Sequence, residues 1–365
     1  MLVTRGTLDD RASLEAIDRS GMLVLAGELG RQLRTGFEAA GAAISGPGDG
    51  PRSSLPTAAE VTGVLVCGMG GSGIAGDVVR SLMAESAQVP VAGCKGYMLP
   101  GSCGPGTLVV AVSYSGNTEE TLATYEAAVA RGCAVVSISG GGALAERAPR
   151  AGSLHVAVPS DVPMPRASVG YLAGAALGLV DAIVGAGALS EELEPTVALL
   201  DDLGARLGPD RPLPDNEAKE LALWLAGRIP VIWGSEGLAE AAALRWKNQL
   251  NENAKIPAFC SLLPELDHNE VEGWGATSGL PFGLIVLRHG AEHPRIADRV
   301  DASLEAVEAS TLSVRQVWAE GSSPLASLFS LMMKADFASI YLAALRGVDP
   351  MPVPVLTGLK ERLRP

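Results

Sequence analysis

The run Val64-Leu65-Val66-Cys67-Gly68-Met69-Gly70-Gly71-Ser72-Gly73-Ile74-Ala75-Gly76-Asp77 constrains this chain more than any other stretch. Four apolar residues lead into a glycine-rich turn, after which Ile74, Val78, Val79 and Leu82 recur at helical spacing. The pattern predicts a strand, a tight turn and a helix N-terminus. Glycines let the backbone turn sharply and bring its N–H groups close to a ligand. A helix N-terminus offers unpaired donors and partial positive charge, so a phosphate is its natural guest. A second stretch repeats the design: the apolar run Thr107–Val112 ends in Ser113-Tyr114-Ser115-Gly116-Asn117-Thr118-Glu119-Glu120-Thr121. Ser115 or Asn117 is expected to cap the following helix, and Glu119 and Glu120 suit its first turn. Either turn alone reads as an ordinary capped strand-to-helix connection. Two of them, both at strand C-terminal ends, favour a ligand site where open α/β sheets bind.

Gly68, Gly70 and Gly73 also spell the G-x-G-x-x-G dinucleotide fingerprint. That fingerprint expects an acid at the end of the next strand to hold a ribose. Here the next strand, Val89–Cys94, is followed by Lys95, which argues against a nicotinamide site. The net charge of −13 and the lack of a basic block make nucleic acid a poor partner. Residues Met1–Arg11 carry Asp9 and Asp10 and no apolar run of signal-peptide length. The most apolar helical stretch, Leu172–Gly187, contains Asp181 and is shorter than the ~20 residues of a membrane span. The cysteines Cys67, Cys94, Cys103, Cys133 and Cys260 are odd in number and lack metal-type spacing, which fits reduced thiols in the cytoplasm.

Along the chain, amphipathic helix (one or two) is expected over Leu8–Ala40, then a Gly/Pro loop. Strands are predicted at 62–68, 89–94, 107–113, 133–139 and 153–158, with helices at 72–84, 118–130 and 142–150. Helical pattern dominates from about 167 to 208, and Arg211-Pro212-Leu213-Pro214-Asp215 is the best linker. Alternation resumes with the strand Ile229–Trp233, the helix Leu238–Leu250, the strand Gly283–Leu287, a helix near 294–308, the strand Ser313–Trp318 and the helix Leu325–Leu345. The fold class is therefore α/β, with two doubly wound domains, each a mainly parallel sheet flanked by helices. The boundaries are drawn at 1–210, including the N-terminal helices, and 211–365.

The second half holds a dense polar stretch, Arg245–Lys255, and further on Pro264-Glu265-Leu266-Asp267-His268-Asn269-Glu270-Val271-Glu272. A carboxylate, a histidine and several amides can form an acid/base site; the alternative is a solvated helix end followed by an acidic loop. The two hydroxyl-rich turns resemble the SIS (sugar isomerase) fold. The order of Gly-Met-Gly-Gly-Ser-Gly-Ile-Ala-Gly-Asp, Ser-Tyr-Ser-Gly-Asn-Thr-Glu-Glu-Thr, Asn-Glu-Asn-Ala-Lys and Leu-Asp-His-Asn-Glu resembles the bifunctional phosphoglucose/phosphomannose isomerase family, a double-SIS branch of the phosphoglucose isomerase superfamily. The likeness runs from about Val61 to Leu345.

The resemblance implies a phosphate cradle of Gly71, Ser72, Ser113, Ser115 and Thr118. It implies Glu252 as the base and His268 as the ring-opening histidine, reaching the site from a neighbouring subunit of a homodimer with shared active sites. It further implies Arg166 beside an enediolate and Lys334 near the sugar ring; these last two rest on shorter matches. The implied substrate is a phosphosugar, and no cofactor or metal is called for. Aldose–ketose isomerisation opens the ring and moves a proton between C1 and C2 through a cis-enediolate. One carboxylate can take and return that proton, a fixed cation can hold the oxyanion, and an imidazole suits exchange at the ring oxygen. Two rivals remain: a non-catalytic phosphosugar-binding regulator, and an amino-sugar phosphate isomerase on the same fold. His289-Gly290-Ala291-Glu292-His293 spells an inverted zinc-protease pattern, but Gly290 and Pro294 place it in a loop, where the two histidines do not share a helical face.

Overall fold

Runs such as Thr107–Val112 are apolar at nearly every position, which suits strands covered on both faces. In the computed structural model, which describes residues 5–46, 55–84, 86–185, 187–274, 280–308 and 313–363, they build two all-parallel sheets. The first has the order β2-β1-β3-β4-β5, with β1 Gly63–Cys67, β2 Val91–Cys94, β3 Thr107–Val112, β4 Ala134–Ser139 and β5 Leu154–Ala157. The second has the order β7-β6-β8-β9, with β6 Ile229–Ser235, β7 Phe259–Leu263, β8 Phe282–Arg288 and β9 Ser313–Trp318. In each, the chain leaves a central strand to one side and returns on the other, so a topological switch point lies between β1 and β3 and another between β6 and β8. Registers are regular across both, with Val66 beside Val110 and Ile232 beside Ile285.

Alternation along each strand divides the side chains between two layers. Val64, Val66, Val110, Val112 and Ile138 of the first sheet join Ile232, Ile285, Leu287 and Val317 of the second in one shared core. Between the sheets lie the helices Leu29–Ser45, Gly70–Met83, Val169–Val184, Ala188–Leu207, Leu238–Glu252 and Pro324–Leu345. The outer faces are covered separately: Leu65, Val109 and Val135 pack with Tyr125 and Leu144, and Trp233, Leu284 and Val286 with Val300 and Val307. Counting from the 3₁₀ turn that leads into it, the segment Pro165–Val184 is 20 residues long; it and Pro324–Leu345 are long and apolar enough to cross a membrane, but they are 78% and 100% buried inside the protein. An apolar helix of this kind is the core of the three-layer arrangement.

Several elements depart from the sequence expectation. The N-terminal region forms three helices, Arg11–Ile17, Met22–Gly27 and Leu29–Ser45. The edge strand β7 and the helices Glu270–Trp274 and Pro354–Arg362 are additional. The 211–215 segment is held in place: fully buried Lys219 donates from Nζ to the carbonyls of Pro209 (2.9 Å) and Arg211 (2.6 Å) and to Asp9 Oδ1 (3.0 Å).

Helix Leu29–Ser45 lies so close to helix Val169–Val184 that a Cβ on Gly36 would sit 2.2 Å from the Tyr171 carbonyl oxygen, whereas a Cβ on Gly41, on the same helix, would meet nothing within 4 Å. Overpacking costs about 1–3 kcal/mol, and Gly→Ala in an exposed helix gains roughly 1 kcal/mol. Gly36→Ala should therefore lower the urea midpoint while Gly41→Ala leaves it unchanged or raises it. Equal shifts in the two variants would show that the interhelical contact is looser than described.

Candidate active site

The site begins at the first switch point. Two helices start there, Gly70–Met83 after β1 and Glu119–Ala130 after β3, and neither has a side-chain cap on its first turn. Their leading amides are thus open to an anion. The hydroxyls expected to cradle phosphate are adjacent: Ser72 Oγ accepts from the Tyr114 amide at 3.1 Å, and the Ser113 and Thr118 hydroxyls are 2.8 Å apart. Ser115 does not cap the helix; its Oγ accepts from the Asn117 amide at 3.3 Å, and Thr118 occupies the N-cap position.

Gly71 joins this turn to the rest of the site. A Cβ there would lie 2.8 Å from the Pro165 carbonyl oxygen and 2.9 Å from the Arg166 nitrogen, so the turn packs directly on the Arg166 backbone. The Arg166 side chain, 2% exposed, crosses to the second half of the chain. Its Nε donates to Asn253 Oδ1 at 2.8 Å, its Nη2 to the carbonyls of Pro350 (2.8 Å) and Met351 (2.6 Å), and its Nη1 to Glu252 Oε2 at 3.4 Å. Burial lowers the guanidinium's pKa, and the neighbouring Glu252 carboxylate opposes that. Asn253 is fixed in turn by Ser339 at 2.9 Å. Buried Arg245 donates to the Arg166 carbonyl at 2.8 Å and to both oxygens of Asp336 at 2.9 and 2.8 Å. Burial pushes the Asp336 carboxyl up, and Arg245 pulls it back.

Glu252 ends the helix Leu238–Glu252 and faces a cleft of about 620 Å³. The cleft is also lined by Asn248, Asn251 and Lys255, and by Val353–Leu356 at the start of helix Pro354–Arg362. Lys255 has φ 55°, a left-handed conformation that closes the helix. Its Nζ donates to the carbonyls of Glu252 and, at 3.0 Å, Pro350. Burial, and then the charge of Arg166, bring its pKa down to about 8.

Lys334 is not brought into this group. It lies two residues before Asp336 on helix Pro324–Leu345, and two residues turn a helix by roughly 200°. Asp336 therefore faces Arg245, while the Lys334 ammonium points the other way, to Glu217 (2.8 Å), Glu320 (3.1 Å) and the Trp318 carbonyl (3.0 Å). His268 is exposed at the end of the 3₁₀ turn Glu265–His268, beyond the edge strand β7, and is not among the described residues that line the Glu252 cleft. Two other carboxylates of its loop have structural partners: Asp267 accepts from Arg299 (3.0 Å) and Ser303 (2.6 Å), and Glu270 from the indoles of Trp233 (2.8 Å) and Trp274 (3.1 Å). In the H-x-x-E-H stretch, Glu292 pairs with Arg288 at 2.9 Å. The flanking amide Asn253, expected only to orient Glu252, binds Arg166, and the sequence assigns Lys255 and the 350–356 segment no role. A Pro-rich run after a long helix, Asp349-Pro350-Met351-Pro352-Val353-Pro354, was the available signal that backbone carbonyls there stay unpaired by secondary structure.

Fold and turns together define a class. A SIS domain matches residues 60–161, and the bacterial phospho-glucose isomerase C-terminal SIS domain matches residues 214–363. Among solved structures, a glucose-6-phosphate isomerase like protein from Thermus thermophilus superposes with a TM-score of 0.61 at 22% identity, covering 98% of each chain. The bifunctional phosphoglucose/phosphomannose isomerase of Caldicellulosiruptor bescii is 36% identical over 315 residues, 84% of this chain and 91% of that one. The enzyme of the same name from Aquifex aeolicus is 36% identical over 304 residues, 83% of this chain and 90% of its own. The chain belongs to the bifunctional phosphoglucose/phosphomannose isomerase family.

Lys255 provides a direct check on the cleft's electrostatics. With a pKa of about 8, half of its side chain is free amine at pH 8, against under ~1% for an ordinary lysine. Brief acylation at pH 8 followed by peptide mapping should mark Lys255 ahead of exposed lysines such as Lys360. Labelling no faster than that of Lys360 would mean that the ammonium is better solvated than its surroundings indicate.

Proposed function

We propose that this chain interconverts glucose 6-phosphate and mannose 6-phosphate with fructose 6-phosphate. The observation that carries the reading is the position of Arg166, whose backbone packs on the phosphate turn at Gly71 and whose guanidinium meets Glu252. The substrate phosphate sits on the open N-terminal amides of helices Gly70–Met83 and Glu119–Ala130, with Ser72, Ser113, Ser115 and Thr118 donating to its oxygens. The sugar extends past Arg166 toward Glu252. In the open-chain aldose, Glu252 takes the proton from C2. Electrons flow to the C1 carbonyl oxygen to give the cis-enediolate, whose charge faces Arg166. The O2 hydroxyl proton passes to O1 and Glu252 returns its proton to C1, leaving the C2 ketone of fructose 6-phosphate. Glucose and mannose differ only at C2 and share that enediolate, so one base serves both. The cations near the sugar are Arg166, Lys255 and Lys360; Lys360 stands one turn beyond the cleft residue Leu356 on the same helix. Lys334 is left with a packing role.

Ring opening falls to His268, supplied by a second copy of the chain in a homodimer. Two features support this: His268 is exposed and lies outside its own chain's cleft, and helix Pro354–Arg362 presents Val355 (83% exposed) and Leu359 to solvent beside that cleft. The acid/base chemistry and the free thiols both fit a cytoplasmic setting.

Glu252→Gln keeps shape and hydrogen bonding but removes the base. Turnover in a coupled assay from fructose 6-phosphate should fall roughly 10²–10⁴-fold, exchange of the C2 proton with deuterated solvent should fall in parallel, and binding of fructose 6-phosphate should change little. Normal exchange in this variant, with loss in Glu272→Gln, would move the base to the histidine loop. Binding without exchange in the parent protein would favour the regulator.

Shared sites have their own test. Glu252→Gln and His268→Ala chains, each inactive alone, should recover about a quarter of parental activity when unfolded and refolded as an equal mixture, because half the dimers are mixed and each mixed dimer holds one intact site. No recovery, with mixed dimers verified by mass, would place the histidine in its own chain's site.

A further inference from the structure

Four of the five cysteines, Cys67, Cys94, Cys103 and Cys133, gather on the outer face of the first sheet, around Leu65, Val109 and Tyr125. All five are free thiols, and the sugar chemistry uses none of them. Cys103 and Cys133 belong to the loops that lead into β3 and β4, whereas Cys67 and Cys94 are the last residues of β1 and β2.

Cys67 and Cys94 are also partners in the parallel register of those two strands. Register partners on neighbouring strands project to the same face, with Cα atoms about 4.8 Å apart. A disulfide spans Cα separations of roughly 4.4–6.8 Å and Cβ separations of roughly 3.5–4.5 Å. The backbone spacing is already right, and only a small inclination of one Cα–Cβ bond is needed to close the bridge. Cys94 has that freedom: it ends an edge strand, its side chain is partly exposed, and irregular chain follows it. Cys67 does not. It is 1% exposed, and the next residue is packed so tightly that a Cβ on Gly68 would lie 2.9 Å from the carbonyl oxygens of Ser72 and Val112. One sulfur is reachable and movable; the other is shielded and fixed.

The acidity of the two thiols divides in the same way. A hydrogen bond from Cys67, opposed by burial and helped by the Gly96 amide, brings the Cys94 pKa down to about 7. The same bond, and then burial, push the Cys67 thiol up. As a neutral thiol Cys94 donates to the Met98 carbonyl at 3.5 Å. At pH 7 about half of Cys94 is thiolate, against about 3% of an ordinary cysteine, and the thiolate is the nucleophile.

From this pairing we propose that Cys94 and Cys67 form a reversible oxidation site whose substrate is a small hydroperoxide, hydrogen peroxide being the simplest. The Cys94 thiolate attacks one peroxide oxygen, the O–O bond breaks, and the departing hydroxide takes up a proton to leave as water. The Cys94 sulfenic acid so formed lies beside Cys67. The Cys67 sulfur attacks the Cys94 sulfur, its proton leaves with the displaced hydroxyl as a second water, and the S–S bond closes. Two thiols have then passed two electrons to one peroxide, and an added dithiol returns them. Transient disulfides of this kind are the ones a reducing compartment allows. The bridge closes a loop from Cys67 to Cys94 that contains the whole helix Gly70–Met83, and it lies on the face of the sheet opposite the shared core.

The test treats the reduced full chain with a few equivalents of hydrogen peroxide at pH 7, blocks the remaining thiols by alkylation and maps the peptides by mass. One Cys67–Cys94 bridge per chain is expected, lost on adding dithiothreitol, with Cys103, Cys133 and Cys260 recovered as alkylated thiols. Cys67→Ala should form no bridge and leave Cys94 as a sulfenic acid that dimedone traps. Cys94→Ala, a change at a partly exposed edge position, should leave the shielded Cys67 unoxidised under the same treatment. The proposal is overturned if the parent forms no bridge, if Cys94 bridges to Cys103 instead, if Cys103, Cys133 or Cys260 is oxidised ahead of Cys94, or if Cys67 is oxidised in Cys94→Ala as fast as in the parent.

Discussion

Arg166 is the constraint on which the rest of the architecture depends. A guanidinium taken out of water must find acceptors for its donors, and removing one partner of a buried charge costs about 3–5 kcal/mol. Here the acceptors come from two distant parts of the chain, Asn253 with Glu252 and the carbonyls of Pro350 and Met351; behind them Arg245, held by Asp336, donates to the Arg166 carbonyl and fixes its backbone. None of these is near residue 166 in sequence. The helical layer between the sheets has to be in place before they can meet. The same network that satisfies a buried charge also fixes the distance from the Gly71 turn to the Glu252 carboxylate.

Much of this was legible in the sequence because it lies in local patterns. Both hydroxyl-rich turns follow apolar strands and precede periodic helices, so their placement at strand ends follows from short-range rules. The order of elements in both halves could be read for the same reason. Strand β7 was hidden by Pro257 and Pro264 on either side and by Cys260 and Ser261 within it; an edge strand needs fewer apolar residues than a central one. The role of Lys334 could not be read from its neighbours. Helix Pro324–Leu345 is buried all round, so no amphipathic stripe indicates which way a given residue points, and only the tertiary partners separate Lys334 from Asp336. The contact of Asn253 with Arg166, and the 350–351 carbonyls, were unreadable for a different reason: no local periodicity encodes a partner so far away in sequence.

The two sheets show how little the fold itself decides. Each presents a switch point with a strand end, a turn and a helix start. In one the lining is hydroxyl and amide; in the other it is carboxylate and imidazole. The side chains at these strand ends differ in charge, while both sheets share the same parallel topology.

The carbonyls of Pro350 and Met351 also bear on the chain's synthesis. A ribosome makes the phosphate turn early and the Arg166 segment soon after, yet Arg166 lacks its last two acceptors until residue 351 has left the exit tunnel. Asp9 likewise waits for Lys219. Domains generally condense as they emerge, the N-terminal one first, but here the first sheet can form while the site beside it stays open, with an unsatisfied cation at its centre. A product ended before residue 351 would carry both hydroxyl-rich turns with the Arg166 guanidinium short of two acceptors, so the arginine's surroundings are complete only once that segment has emerged.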